Sequence, residues 1–314
     1  RYKLRVSDGT ADAQKYSMAL FEQYCATKRL KVSGLFDGSE DWQRITHGLV
    51  SGFELWMLKE GYAIRTINLR VGHVKKYSAL AFEANLISDR ERLKIADHKG
   101  IMGKTMTNVD QKREQTRKEK SKKKDFNALT KNQFYKLLDA RPPTPRGRRD
   151  ALILVLGAYM GLRVSEMVIL TREDINLEKG AIKIYAPKTD TIRLMQIKFD
   201  RLRAVLMTYL TMDAPADGPI LKASEYIPGP KASDNLTNRP MTRFDVFRVV
   251  KTMGKAIGIS NLSPHDLRHT GATWIAETTR NIMILREWGG WRSFEVAGGY
   301  VISNKYANED VNME

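Results

Sequence analysis

Ser263-Pro-His-Asp-Leu-Arg-His269 carries more chemistry than any other stretch of the chain. Ser263 suits an N-cap, where its hydroxyl accepts a hydrogen bond from an orphan helix N–H, and Pro264 suits the first helical position. A helix opening there puts His265 and Arg268, three residues apart, on one face. Backbone N–H groups and the dipole at such a start favour a bound phosphate. Arg268 can fork onto two phosphate oxygens, and His265 can exchange a proton near neutral pH. An isolated His-x-x-Arg pair is more often an ordinary surface feature, so the partners decide its meaning. Upstream, Gly161-Leu-Arg-Val-Ser-Glu166 follows an apolar run and sets Arg163 at the edge of a core, where a charge needs an anion. Glu166, three residues on, can orient it. Downstream stand Trp291 and then Tyr300, thirty-two residues after Arg268. Two guanidiniums, an imidazole and a phenol suit a metal-free attack on a phosphate.

The composition agrees with a phosphate partner. The chain has 314 residues, enough for two domains, and a formal net charge of +17 from 53 Lys and Arg against 36 Asp and Glu. Basic excess of that size points to a polyanion, with nucleic acid ahead of membrane. No run of eighteen apolar residues is present, so no transmembrane helix is expected. A single cysteine, Cys25, excludes an internal disulfide and a cysteine-rich zinc site. The five histidines show no metal-ligand spacing, and neither a metal nor a cofactor is expected. No secretory signal is visible, which reads most simply as a protein of a reducing interior.

Helical spacing dominates residues 11 to 88. Ala19, Leu20, Phe21 and Tyr24 recur at that period, as do Leu49, Phe53, Trp56 and Met57, with Gly61 closing the second helix. Ile64 to Ile87 repeats the pattern. Residues 1–111 therefore read as a helical domain. A basic linker, 112–126, follows. Lys112, Arg113, Arg117, Lys118, Lys120, Lys122, Lys123 and Lys124 stand there against two Glu, a net of +6 over 112–124. Such a tether is solvated and, beside a DNA-binding reading, also tracks phosphates. Residues 127–314 form the second domain. Thr130 caps a helix over Lys131–Ala140, and a Pro- and Arg-rich loop, Arg141–Arg149, leads into an apolar helix stopped by Gly161. Thr171 to Asp174 resembles a capping box. Ala181–Ala186 and Ile192–Ile197 read as a β-hairpin turning at Pro187–Thr191. Helices follow over Arg201–Met212, Arg243–Ile257, Pro264–Glu277 and Ile282–Trp288, with a Gly/Pro-rich loop over Ala214–Pro240. Gly100-Ile-Met-Gly-Lys-Thr105 is no phosphate-binding P-loop, because the required first glycine falls at His98.

Taken together these residues resemble the tyrosine recombinase, or phage integrase, family over roughly Asn127 to Tyr306. Gly161 to Glu166 looks like the first-arginine box of that family, and Pro264 to Thr270 like its His-x-x-Arg box. Lys188 lies twenty-five residues after Arg163, in the hairpin turn where the family keeps its lysine, and Arg193 fits the same hairpin. Gly290-Trp291 stands where most members have Gly-His; tryptophan is a variant found in Cre recombinase. Tyr300, nine residues later, has the spacing of the nucleophile.

The resemblance implies a mainly α protein with a small β-sheet or hairpin. Its N-terminal helical core-binding domain and C-terminal mixed α/β catalytic domain close as a C-shaped clamp on DNA. It implies a site-specific recombinase that cuts and rejoins DNA through a 3′-phosphotyrosyl link without metal or ATP. Tyr300 is the expected nucleophile and His265 the acceptor or relay of its proton. Arg163 and Arg268 neutralise the phosphate, Lys188 protonates the leaving oxygen, Glu166 supports the arginine and histidine, and Trp291 packs and donates its indole N–H to the phosphate. Tyr306 is a second candidate whose spacing from Trp291 departs from the family's, and His269 has a structural hydrogen bond. Gly298-Gly299 put the nucleophile on a mobile segment. The expected partners are double-stranded DNA recombination sites and further copies of the chain: a homo-tetramer on two sites, a dimer per site, monomeric or weakly associated without DNA. Docking of the tail after Tyr300 on a neighbour is a further expectation. The expected place is the cytoplasm of a bacterium or archaeon, phage-encoded or not, or otherwise DNA inside a cell. Type IB topoisomerases and telomere resolvases share the chemistry, and a non-catalytic DNA-binding protein of the same fold is an alternative of another class.

Overall fold

The computed structural model describes residues 6–102, 128–225, 233–279 and 281–301. The expected basic linker contacts, Tyr306 and the tail lie outside these. The chain divides into two compact units, Arg1–Lys122 and Lys123–Glu314.

In the first unit, helices α1 (Asp8–Thr27), α2 (His47–Lys59), α3 (Ile64–Glu83) and α4 (Asp89–Asp97) surround an aromatic core, with 3-10 turns at Leu35–Asp37 and Glu40–Arg44. Phe21 and Phe53 meet edge to face at 5.1 Å between ring centres, and Tyr24 tilts onto Phe53 and Trp56. Phe53 and Met57 of α2 are thus core, with Trp56 packed against them. Gly61 takes φ +77 and reverses the chain between α2 and α3. The ordered helix α4 escapes the periodicity reading because Ile95 is its one buried side chain. Its start is marked instead by Ser88, whose hydroxyl accepts from the Glu91 N–H at 3.3 Å.

The second unit is built around a buried helix. Helix α5 (Lys131–Asp139) opens with the Thr130–Gln133 capping box. Helix α6 spans Pro145–Ala158, and every side chain from Ala151 to Ala158 is buried. The expected loop through Arg149 is therefore helical from Pro145. Thr144 accepts from the Gly147 N–H, Pro145 sits in the first turn, and the arginines are absorbed by fixed partners. Arg148 pairs with Asp213, and Arg149, only 1% exposed, pairs with Asp150 and donates to the Lys222 carbonyl. Gly161, at φ +59, turns the chain into the short helix α7 (Val164–Met167).

Strands β1 (Ile175–Asn176), β2 (Ala181–Ala186) and β3 (Thr191–Gln196) form an antiparallel sheet in that order, with Ile184 opposite Arg193. The box at Thr171 opens no helix: Asp174 accepts from the Thr171 N–H and hydroxyl in the turn before β1. Helix α8 (Asp200–Met212) follows. The supposed loop 214–240 contains a second small sheet, β4 (Lys222–Ser224) with β5 (Leu236–Pro240). Helices α9 (Arg243–Ala256), α10 (Pro264–Thr279), α11 (Ile282–Gly289) and α12 (Phe294–Gly298) complete the described unit. The architecture is mainly α with small sheets, as expected. Among the described residues no helix is long and apolar enough to cross a membrane.

Two glycines set the crossing of α6 and α10. A methyl group on Gly157 would lie 2.8 Å from the Leu267 Cβ, and one on Gly271 only 2.0 Å from the Ala158 carbonyl oxygen. That close approach carries Arg268 on α10 to the Gly161 corner at the end of α6.

Candidate active site

Glu166 anchors the site. Its side chain is fully buried and accepts from two arginines. Arg163 donates from its backbone N–H at 2.9 Å and from Nη1 at 2.8 Å. Arg193, from β3, donates from Nη2 at 2.9 Å and Nη1 at 3.2 Å. Burial pushes the Glu166 pKa up. The hydrogen bonds and charge of Arg193, with the Arg163 hydrogen bonds, outweigh it and hold the carboxyl below its ordinary value. The expected Arg163–Glu166 contact is present; Arg193 as the second ligand of that carboxylate was not anticipated.

Arg163 also donates from Nη2 to the Gly290 carbonyl at 3.2 Å, tying α7 to the left-handed glycine that ends α11. Arg268 is 1% exposed and donates to the carbonyls of Gly161 and Gly289. Its guanidinium lies over the Trp291 ring, 4.7 Å from the centre. Burial first, and then the charge of Arg163, push the Arg268 pKa down to about 9. The fold therefore holds this cation at a cost that a bound anion would relieve. Arg163 and Arg193 share the Glu166 carboxylate, and Arg268 stands beside them on two carbonyls, so the described cage is short of negative charge.

The nucleophile candidate closes the cage. Tyr300 follows α12 and stacks on Trp291, ring centres 5.4 Å apart at 20°. Its hydroxyl is hydrogen-bonded to Nδ1 of His269. Burial pushes the phenol pKa up to about 12, against the opposing charge of Arg268. His265 does not meet the phenol. It lies exposed one turn earlier on α10, its Nε2 3.0 Å from the Nε2 of His269. The shared face expected for His265 and Arg268 is also divided: Arg268 turns into the core, and the neighbour of His265 is His269, four residues on. That four-residue spacing was the signal that could have found His269.

The helix start is as the sequence suggests, with Ser263 and Asp266 exchanging hydrogen bonds. Trp291 packs between Arg268 and Tyr300. Lys188 is exposed in the β2–β3 turn. That turn is tied beside Trp291, because Arg292 donates to the Thr189 carbonyl at 3.1 Å. Thus Arg163, Glu166, Arg268, Trp291, Tyr300 and His265 belong to one connected group, and Lys188 stands on a turn fastened to its rim.

Comparison with known proteins identifies the family. The profile of the phage integrase family matches residues 127–306. The chain is 30% identical to tyrosine recombinase XerA of Pyrococcus furiosus over 80% of its own length and 75% of that protein. It is 26% identical to tyrosine recombinase XerC of a Roseiflexus species, over 84% and 76% respectively. Among solved structures, the Tn1549 transposon integrase in complex with transposon right end DNA matches in fold with a TM-score of 0.65 at 17% identity, covering 98% of this chain and 93% of that one. A lambda integrase dimer bound to a core site matches at 0.62 and 16% identity, covering 98% and 94%. With more than half its length matched by the family profile, the chain belongs to the phage integrase family of tyrosine recombinases.

Proposed function

We propose that this site-specific recombinase cuts its DNA with Tyr300. The phenolic oxygen attacks the scissile phosphorus and the bond to the 5′-oxygen breaks. The 3′ end stays on the protein as a phosphotyrosine and a 5′-hydroxyl leaves. Attack by a 5′-hydroxyl of another strand reverses the step, so the bond energy is conserved and neither metal nor ATP is consumed. Arg163 and Arg268 take the non-bridging oxygens, whose charge grows at the pentacoordinate phosphorus; pre-placed donors of this kind commonly supply the largest catalytic contribution. Lys188 gives the leaving oxygen its proton. Glu166 holds Arg163 and Arg193 in place, and Trp291 backs Arg268 and the phenol. The observation that carries this reading is the electropositive cage, Arg163 and Arg193 on the Glu166 carboxylate with Arg268 beside them, closed by the Tyr300 ring.

The DNA partner follows from the same cage and from the net charge of +17. The helical unit 1–111, the basic segment 112–126 and the catalytic unit 127–314 all bind the duplex. Four copies assemble on two sites, a dimer on each, from a chain that is monomeric or weakly associated alone. It acts on DNA inside a cell. Type IB topoisomerases and telomere resolvases share the strand chemistry, and a recombination assay separates them. DNA sites selected from a random pool by the chain's own binding are placed in pairs on a supercoiled plasmid. The expected outcome is exchange of the flanking segments that depends on both sites. Relaxation or hairpin ends without exchange contradicts the recombinase reading.

A further inference from the structure

The Tyr300 phenol has a neighbour that the mechanism above does not use. Its hydroxyl meets Nδ1 of His269, and the His269 ring lies 5.0 Å from the Tyr300 ring, centre to centre. Nε2 of the same ring lies 3.2 Å from the hydroxyl and 3.0 Å from Nε2 of His265. The two imidazoles stand edge to face at 4.4 Å, and His265 is exposed. Phenol, half-buried His269 and exposed His265 thus form one connected line of contacts. Among the described residues, the charged and titratable groups facing the phenol and its line include Arg268 and His265, both on α10, with Arg163 at the start of α7 acting on Arg268.

We propose that His269 is a catalytic residue, the first acceptor of the Tyr300 proton, and that His265 is the second. As the Oη–phosphorus bond forms, the O–H bond breaks and the proton passes to Nδ1 of His269. The proton on Nε2 of His269 passes to Nε2 of His265, which becomes the imidazolium and returns its charge to solvent. One proton enters the line and one leaves it, and His269 ends neutral in its other tautomer. The need for such a path is physical. Burial raises the phenol pKa to about 12, so few of these groups would ionise unaided near neutral pH. An acceptor touching the reacting oxygen meets the geometric demand on a general base, whereas His265 alone does not reach it.

This inference rests on Tyr300 as the nucleophile, and the test separates the two. The probe is a nicked duplex carrying a site selected from a random pool by the chain's own binding. The readout is the single-turnover rate of covalent adduct formation between pH 6 and 9. Wild type must form the adduct and Tyr300→Phe must not; if both do, or neither does, the nucleophile reading fails first. With that control in place, His269→Gln keeps a hydrogen-bonding side chain that cannot exchange protons, and His269→Ala leaves room for free imidazole. Loss of a positioned general base costs on the order of 10²-fold or more. The expected result is a loss of that order for His269→Gln near pH 7, shrinking as pH rises and hydroxide replaces the base. Added imidazole restores part of the rate of His269→Ala. A His269→Gln rate equal to wild type overturns the proposal. So does a loss that is the same at every pH and untouched by imidazole, since that is the mark of a packing contact.

Discussion

Arg268 sits with its guanidinium between two glycine carbonyls and the face of Trp291, 1% exposed. A buried cation of this kind is tolerable only with partners, and Glu166 is the carboxylate that balances the group. Removing one member of a buried ion pair strands the rest, at a cost of about 3–5 kcal/mol. Glu166→Gln is therefore expected to lower the unfolding free energy by about 3 kcal/mol, the lower end, because Arg163 is partly exposed. The pH dependence has a definite sign. The folded carboxyl lies below its unfolded value of 4.5, so its contribution is present above pH 4.5 and is lost as pH falls through the lower folded value. Urea titrations from pH 7 to pH 3 check this: wild-type stability falls through the acid range, and the Glu166→Gln curve falls less. Parallel curves would contradict it. At this scale the sequence was legible where spacing along one helix or box mattered, as for Arg163 with Glu166. It was silent on Arg193 meeting Glu166 from a strand twenty-seven residues away, because that contact is made by the packing of the hairpin.

Helix α12 ends at Gly298, and Gly299 continues in ordinary helical geometry at φ −64. Neither glycine is demanded by backbone or space here: a methyl group on Gly299 would meet nothing nearer than 3.6 Å. The effect expected of them is freedom for the segment that carries Tyr300. Gly271 is the opposite case, because a methyl group there would collide with the Ala158 carbonyl. Gly299→Ala is expected to raise stability by about 0.4–1 kcal/mol, through the unfolded chain, and to slow adduct formation severalfold. Gly271→Ala is expected to lower stability by about 1–3 kcal/mol, as overpacking does. Thermal melts and single-turnover cleavage of both variants check the contrast; an unchanged cleavage rate in Gly299→Ala removes the hinge role. The hairpin and the long helices could be read from period and turn residues. The β4–β5 pair could not, since its strands are short and hidden in a Gly/Pro-rich stretch. The first turn of α6 was masked by arginines that look solvent-bound in sequence but pair with Asp213 and Asp150 in the fold.

At the scale of the whole chain, a hydrophobic core of its own in each unit and a net charge of +17 meet the needs of a protein that binds a polyanion. That much was legible in composition, and the family was legible in four short boxes scattered over 140 residues of sequence. What the boxes could not reveal is that they fold onto one another through glycine corners at Gly161 and Gly290, with the phenol resting on His269. The central claim is that Tyr300 becomes joined to DNA. Its most direct test is incubation with a nicked duplex bearing a selected site, in EDTA, followed by a denaturing gel and mass mapping of the nucleotide-bearing peptide. The account predicts a metal-independent adduct carried on Tyr300 and absent from Tyr300→Phe. An adduct that persists in Tyr300→Phe, or one that forms only with Mg²⁺, would contradict it.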